Sequence, residues 1–184
     1  EATAIAAALG EVEMAEAADT LTAIMNGYSM AATEAMEVTD KISAVGADSA
    51  ADFGELSFAI EKVASSAATA GIDLDHLLGY LGKMVEVTRE APTNIGSAMK
   101  SIISRYGEMT TNPAAIMDSE GEAMSLNKVD KALQSVGITL QDVNGQFRNF
   151  DEVILELSSK WDTIDKNTQR YIATVMAGNR QQSR

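Results

Sequence analysis

Closely spaced glycine and proline residues limit what this 184-residue chain can fold into more than any other feature of its sequence. They break the chain into helices of roughly 12 to 18 residues, within which apolar residues recur at the helical period. Sustained heptads are absent, so a long coiled-coil rod is not expected. The pattern predicts a mainly all-α protein, a compact bundle of about 7–9 short amphipathic helices. The breaks between the segments are Gly27, Gly46, Gly71, Pro92, Pro113 and Gly137.

Capping residues place the ends of several predicted helices. Asp52 and Glu55 have the spacing of a capping box, in which each side chain accepts a hydrogen bond from the other residue's backbone. Pro92 suits the first turn of a helix, where its missing N–H is not needed. We therefore predict helices at residues 15–28, 32–45, 52–70, 73–88, from Pro92 onwards, and at 127–136, 151–164 and 165–177.

One four-residue pattern recurs at Gly27, Gly71 and Gly137: glycine, then an apolar, a small polar and an apolar residue. Glycine closes a helix readily because it adopts the left-handed backbone conformation without steric strain. The polar residue can then cap the next helix or begin a turn. The three positions are unequally spaced, so we interpret them as a shared type of helix joint and not as a solenoid repeat.

After Gly137 the apolar period changes from helical to alternating. Apolar and polar residues alternate around Asn144-Gly145, a pair typical of tight hairpin turns. The sequence therefore predicts a small β-hairpin near Thr139–Arg148. Two amphipathic helices follow it, and we expect Trp161 and Tyr171 on these helices to pack into the core.

The stretch with the weakest helical signal suggests the domain organisation. Residues 108–126 contain Asn112-Pro113, Gly121 and several acids, which is typical of a surface loop or lid. We expect an N-terminal helical bundle at 1–107, a loop or boundary at 108–126, and a C-terminal helix, hairpin and two-helix subdomain at 127–184. The chain opens without Met in a helical pattern and stops directly after a predicted helix, so we expect a piece of a longer protein.

Acidic residues outnumber basic ones and give a formal net charge of −13. The excess lies in residues 1–92, which hold 16 acids and 4 bases. Such a surface repels phosphate backbones and anionic lipids, so nucleic-acid or membrane binding by this segment is disfavoured. Cysteine is absent, which excludes disulfides and thiolate metal sites. No apolar run reaches the roughly 18 residues of a membrane span.

Candidate catalytic or ligand-binding residues are scarce. His76 is the single histidine, and it lies beside Asp75 near the start of a predicted helix, where a capping or surface role is the simplest interpretation. Carboxylate pairs at helical spacing are expected by chance in a chain with 27 acids. Phosphate-binding glycine loops are absent, and residues 118–122 do not match a calcium loop. We therefore predict no catalytic residue, no cofactor, no metal site and no enzymatic activity.

The C-terminal third carries a more specific signal. Asp142, Gly145 and Arg148 form a D-x-x-G-x-x-R motif, a helix follows, and the next helix ends in an apolar-Ala-Gly-x-Arg motif at residues 176–180. This order of motifs resembles the end of the core domain of tail tape-measure proteins, from tailed phages or prophages of Gram-positive bacteria. The resemblance marks these structural family-motif positions: Gly71, Gly145, Arg148, Trp161, Gly178 and Arg180.

The N-terminal part agrees with this resemblance. Residues 16–45 are similar to the family's A-x-x-L-x-x-x-M-N-x-Y helix and the helix after it, and residues 64–84 to its A-x-x-A-G-V-x-L-x-x-L joint. Residues 91–105 are similar to its G-x-A-L-K-x-x-L-x-R helix. The likeness therefore covers nearly the whole chain.

The resemblance implies a structural role in the virion tail. Such proteins set tail length during assembly by threading the tail tube, and they leave the tail ahead of the DNA at ejection. The implied locations are the inside of the tail tube and, during assembly, the host cytoplasm. The implied partners are further copies of the chain as a trimer, and the tail-tube, tail-tip and tail-assembly chaperone proteins. Membrane contact would involve only other parts of the parent chain.

Two other classes of function stay open. One is an acidic helical protein-interaction module, such as a secreted effector or adaptor unrelated to phage. The other is an enzyme, which the lack of a recognisable nucleophile or metal cluster disfavours. Within the tape-measure class, 184 fully helical residues would span about 280 Å. The frequent helix breaks indicate instead a compact folded module, with rod-like measuring elsewhere in the parent chain.

Overall fold

The computed structural model describes residues 1–49, 51–111 and 126–178. Across these residues the protein is mostly helical and contains nine α-helices, which confirms the predicted fold class. The chain divides into two compact units, unit 1 at Glu1–Lys100 and unit 2 at Ser101–Arg184. Most of the boundary predicted at 108–126, Pro113 included, lies outside the described residues, so that boundary stays a prediction.

Short helices make up both units. In order they are α1 Ala2–Gly10, α2 Met14–Gly27, α3 Ala35–Asp48, α4 Phe53–Thr69, α5 Leu74–Thr88, α6 Pro92–Thr111, α7 Leu126–Gln134, α8 Phe150–Lys160 and α9 Lys166–Ala177. A 3₁₀ turn at Ala32–Glu34 precedes α3, and another at Trp161–Thr163 follows α8. For five of the helices both ends lie within two residues of the predicted limits, because the capping and breaking signals are local.

Helix α4 is the centre of unit 1, because it packs against α1, α2, α3 and α5. The predicted capping box begins it: the Glu55 N–H donates to Asp52 Oδ1 at 2.7 Å, and the Asp52 N–H donates to Glu55 Oε2 at 3.1 Å. The apolar stripes of α4 and its neighbours meet in a buried core. Its fully buried side chains include Ile24, Ile42, Leu56, Ile60, Leu77, Leu78 and Leu81.

Two glycines allow helices of unit 1 to approach closely. A Cβ on Gly27 would lie 2.9 Å from the backbone nitrogen of Ser65 on α4, and a Cβ on Gly96 would overlap the carbonyl oxygen of Ala59. The prediction that Gly27 closes its helix in the left-handed conformation is wrong, because Ser29 takes the positive φ of 55° there. Helix packing, and not backbone freedom, is what requires glycine at position 27.

The other two predicted joints are confirmed. Gly71 follows α4 with a φ of 75°, and Gly137 follows α7 with a φ of 73°. Beyond Gly71, Asp73 caps α5 by accepting a hydrogen bond from the His76 N–H at 2.9 Å. The His76 ring nitrogen Nδ1 lies 3.2 Å from Asp73 Oδ2. His76 thus occupies the capped start of a helix, as the sequence predicted.

Unit 2 is built around the packing of α7 against α9. Its buried apolar side chains come from α7, α8, α9 and the short segment after Gly137. They include Val129, Leu133, Ile138, Leu140, Phe150, Val153, Leu157, Ile172 and Val175. Asn149 caps α8 by accepting from the Glu152 N–H at 2.8 Å. Ile138 and Leu140 are buried near the beginning of the connection between α7 and α8, and Phe150 is buried directly after its end. These residues attach both ends of the connection to the core.

The β-hairpin predicted near Thr139–Arg148 is wrong. A single antiparallel bridge, between Gln141 and Phe147, takes its place, and the described residues around it form no strand. The chain does turn at Gly145, which has a φ of 77°. Asp142 Oδ1, however, accepts hydrogen bonds from the N–H groups of Asn144 and Gln146 at 2.8 and 2.9 Å. These side-chain hydrogen bonds compete with a strand ladder and close the segment into a tight loop.

Candidate functional site

The connection between α7 and α8, which we call the 137–149 loop, holds two of the motif positions identified from the sequence. Gly145 forms its tip and Arg148 lies near its end. The hydrogen bonds that close the tip stabilise the charged form of Asp142, and the Gln146 backbone contributes most to holding its pKa below the ordinary value. Gly71, in contrast, lies in unit 1, where it ends α4.

Arg148 fastens the end of the 137–149 loop to α8. Its guanidinium Nη1 donates to Glu156 Oε2 at 2.7 Å and to the Thr139 carbonyl oxygen at 3.1 Å. Its Nε lies 3.5 Å from a carboxylate oxygen of Glu152. The hydrogen bond to Glu156 is the main reason that the pKa of Arg148 is raised. One side chain therefore joins both arms of the loop to the helix that follows.

Lys160 fastens the beginning of the same loop. Its ammonium group donates to the Gly137 carbonyl oxygen at 2.9 Å and to Glu156 Oε1 at 2.8 Å. Glu156 thus accepts from Lys160 on one oxygen and from Arg148 on the other, and these hydrogen bonds lower its pKa, with Lys160 contributing most. We call Arg148, Glu156 and Lys160 the loop clasp. The Glu156–Lys160 pair, at i and i+4 on a helix, was visible in the sequence; its long-range partners were not.

Tyr106 supports the loop clasp from α6. Its hydroxyl donates to the Arg148 carbonyl oxygen at 2.8 Å. Its ring packs edge-on against Phe150, with ring centroids 5.4 Å apart and an interplanar angle of 81°. Burial raises the pKa of Tyr106 to about 12, so the hydroxyl remains a donor at neutral pH. The clasp therefore rests on a buried aromatic pair.

Replacing Arg148 with alanine is expected to lower the stability of unit 2 by about 1–2 kcal/mol, because charge-assisted hydrogen bonds are lost from a partly buried position. The same change is expected to move the pKa of Glu156 back towards its ordinary value. Thermal unfolding followed by Trp161 fluorescence, and NMR titration of Glu156, measure the two effects. Arg170→Ala, at an exposed position on α9 in the same unit, is the control and should change stability by less than about 0.5 kcal/mol.

The sign of the pH dependence follows from the lowered pKa of Glu156. The stabilisation from the charged clasp is fully present above the ordinary glutamate pKa of 4.5 and is lost as the pH falls through the lower folded-state value. The difference in the free energy of unfolding between the unsubstituted chain and Arg148→Ala should therefore decrease in that acidic range. A difference that stays constant down to full protonation of Glu156 would contradict the role assigned to the clasp.

Two aromatic positions in unit 2 differ from expectation. Trp161 lies in the 3₁₀ turn after α8 and is partly exposed, and its carbonyl oxygen accepts from Gln169 Nε2 at 2.7 Å. Tyr171 on α9 is 49% exposed, so the prediction that it packs into the core is wrong. The apolar stripe of α9 instead runs through Ile172, Val175 and Met176. Periodicity located the helix, but a tyrosine at the edge of the stripe can keep its hydroxyl in solvent.

The end of α9 is held by an arginine that sequence reasoning missed. Gly178 ends the helix with a φ of 80°, and a Cβ there would lie 3.5 Å from the Arg105 guanidinium. Arg105 Nε donates to the Val175 carbonyl oxygen at 3.3 Å, and burial lowers the pKa of Arg105. The remaining motif position, Arg180, lies outside the described residues. The two residues in contact are 70 positions apart in the chain, so no local sequence pattern predicts the contact.

The polar groups of this region serve to hold the 137–149 loop in place. The charged groups of the loop clasp form hydrogen bonds to each other and to the backbone carbonyls of Gly137 and Thr139 at the beginning of the loop. Glycine at the loop tip and at the end of α9 adopts positive φ, which other residues rarely do. The arrangement holds one loop in a defined shape on unit 2. Among the described helices, none combines the length and apolar character needed to cross a lipid bilayer.

Comparison with known proteins identifies the family. A family model described as phage-related minor tail protein matches residues 1–178. No solved structure gives a significant match to the chain. The matched region contains both units of the described structure except for the final residues of the chain. The chain therefore belongs to the phage-related minor tail protein family.

Proposed function

We propose that this chain is a structural, non-enzymatic module of a tail tape-measure protein, from a phage or prophage with a Gram-positive host. The observation that carries the proposal is the family match over residues 1–178, combined with the order along the chain of motifs that resemble those of tape-measure proteins. Membership of a minor tail family supports a virion tail location and does not favour an effector or adaptor unrelated to phage.

The helices of this segment are too short for a measuring rod, which supports a compact module. The longest described helix, α6, has 20 residues and would span about 30 Å, roughly a tenth of the 280 Å reach of the whole chain as one helix. The apolar stripes of the short helices are buried, as they are in a folded domain. We infer that this segment is carried as a folded module, and that an extended part of the parent protein sets tail length.

The same proposal includes the partners of the parent protein and its part in tail assembly and DNA ejection. The parent protein assembles as a homotrimer, is bound by tail-assembly chaperones in the host cytoplasm, and contacts tail-tube and tail-tip proteins. It lies inside the tail tube and leaves ahead of the DNA during ejection. This segment contacts neither nucleic acid nor membrane, since its net charge of −13 opposes both, and membrane contact belongs to other parts of the parent chain.

Tail length measured by electron microscopy tests the proposal. Insertions and deletions are made in the extended region of the parent gene, and this module is left intact. We expect tails to lengthen or shorten by about 1.5 Å per residue, the rise of an α-helix. Tails of unchanged length in viable particles would show that the parent is a minor tail protein of another kind.

A further inference from the structure

Helix α1 exposes an apolar face in unit 1. It contains neither acidic nor basic residues, and its inner side packs on α2, α3 and α4 with Ala6 buried. On its outer side Ile5 is 39% exposed and Leu9 is 47% exposed, one helical turn apart. Met14, at the start of α2, is 55% exposed. We call Ile5, Leu9 and Met14 the α1 ridge.

A small cleft also opens beside α1. Its walls come from α1, α2 and α4, and its lining includes Ala6, Gly10, Val12 and Phe58. Helix α1 contributes Ala6 and Gly10 to this cleft, whereas the ridge side chains lie outside its lining. Ser57 lines the cleft with only 8% of its surface exposed, and its hydroxyl has no hydrogen-bond partner among the described residues.

The charged residues that flank the ridge in sequence are all acidic. No lysine or arginine precedes Lys41, whereas residues 1–40 contain eight acids. Glu11, Glu13 and Glu16 are exposed next to the ridge in sequence, and Glu16 also lines the cleft. None of the ion pairs of the described residues involves these three carboxylates. A second copy of this face would bring like charges together, whereas a basic partner would be attracted.

We propose that the α1 ridge binds a basic amphipathic helix of a partner protein. The apolar stripe of that helix packs on Ile5, Leu9 and Met14, and its flanking lysine or arginine residues pair with Glu11, Glu13 and Glu16. Helix-in-groove recognition of this kind uses apolar anchors at i, i+3, i+4 and i+7, which match two turns of an exposed helix. The inference concerns a surface of unit 1 and does not rest on the tape-measure role.

A pair of synthetic helical peptides tests the proposal on the full chain. The first peptide has a leucine stripe flanked by lysines, and the second has glutamate at every lysine position. Fluorescence anisotropy of the labelled peptides measures binding. We expect the lysine peptide to bind at least about tenfold more tightly than the glutamate peptide. Its binding should weaken as salt rises from 50 to 300 mM, which shortens the screening length roughly 2.5-fold.

Two variants separate the apolar and the charged contributions. Ile5→Ser combined with Leu9→Ser should weaken the lysine peptide about tenfold or more, as expected for apolar anchors. Val87→Ser is the matched control, because Val87 is 67% exposed on α5, outside the ridge, and should bind the peptide unchanged. Neutralising Glu11, Glu13 and Glu16 to glutamine should weaken binding at 50 mM salt and remove most of its salt dependence.

Three results would overturn the proposal. The first is equal binding of the lysine and glutamate peptides, since charge would then not select the partner. The second is an equal loss of binding in the Val87 control, which would indicate non-specific adsorption. The third is concentration-dependent self-association of the chain that Ile5→Ser with Leu9→Ser abolishes, without peptide binding; the ridge would then be an interface between copies. Because the substituted side chains are exposed, circular dichroism should show unchanged helix content.

Discussion

Replacing Phe150 with alanine is expected to destabilise unit 2 by about 3–5 kcal/mol, the cost of removing a buried aromatic side chain and leaving a cavity. Phe150 is only 3% exposed and packs edge-on against Tyr106. Loss of its ring also removes the support beneath the Tyr106 hydroxyl, which donates to the Arg148 carbonyl oxygen. The substitution should therefore loosen the end of the 137–149 loop as well as the core.

Trp161 provides the measurement for Phe150→Ala, because it is the single tryptophan of the chain and lies in unit 2. Urea unfolding followed by its fluorescence should show a large fall in the midpoint. Phe147→Ala is the matched control: this ring is 36% exposed, and its loss should cost less than about 1 kcal/mol. Equal effects of the two substitutions would contradict the assignment of Phe150 to the core.

Replacing Gly96 with alanine is expected to cost unit 1 about 2–4 kcal/mol, because the added methyl group overlaps the backbone of α4 and forces two helices apart. The nearest atom is the carbonyl oxygen of Ala59, with its carbonyl carbon 2.9 Å from the added Cβ. Backbone atoms cannot rotate away as a flexible side chain would. The gain in helix propensity from alanine, about 1 kcal/mol, offsets only part of this cost.

Gly107→Ala is the control for Gly96→Ala within the same helix. A Cβ on Gly107 meets no atom within 4 Å, so this change should be neutral or slightly stabilising. Urea unfolding followed by far-ultraviolet circular dichroism measures both variants. If Gly96→Ala proves as stable as Gly107→Ala, the close approach of α4 and α6 at this point is not required by the fold.

Local features of the sequence were sufficient for much of the helical framework. The capping box at Asp52 and Glu55, and the left-handed glycines Gly71 and Gly137, depend on residues within a turn of each other. Their hydrogen bonds and backbone preferences are the same wherever the helix is placed. The main helices could therefore be positioned before any tertiary contact was known.

Features that depend on other helices could not be predicted. Gly27 was assigned a backbone role, but its small size serves the contact with Ser65 on α4. Arg105 reaches Val175 and Tyr106 reaches the Arg148 carbonyl across long separations in the chain. Periodicity indicates which face of a helix is apolar, but it does not indicate which partner that face meets.

The mistaken hairpin has a specific physical cause. Asn144-Gly145 favours a tight turn in any context, and that part of the prediction was correct. Strands continue from such a turn only if the backbone N–H groups beside it are free to pair across the two arms. Here Asp142 takes the N–H groups of Asn144 and Gln146, and Arg148 is drawn to Glu156 on α8. The aspartate two residues before an Asn-Gly pair was the available signal for a side-chain-closed loop.

The central claim is that this segment is a folded module that does not itself measure the tail. The direct test is a tandem duplication of residues 1–184 within the parent gene, with tail lengths measured by electron microscopy. A folded second copy adds at most about 70 Å, since each unit is a globule of roughly 35 Å. We predict a change no larger than this. Lengthening by about 280 Å, the reach of a continuous helix of the same 184 residues, would contradict the account.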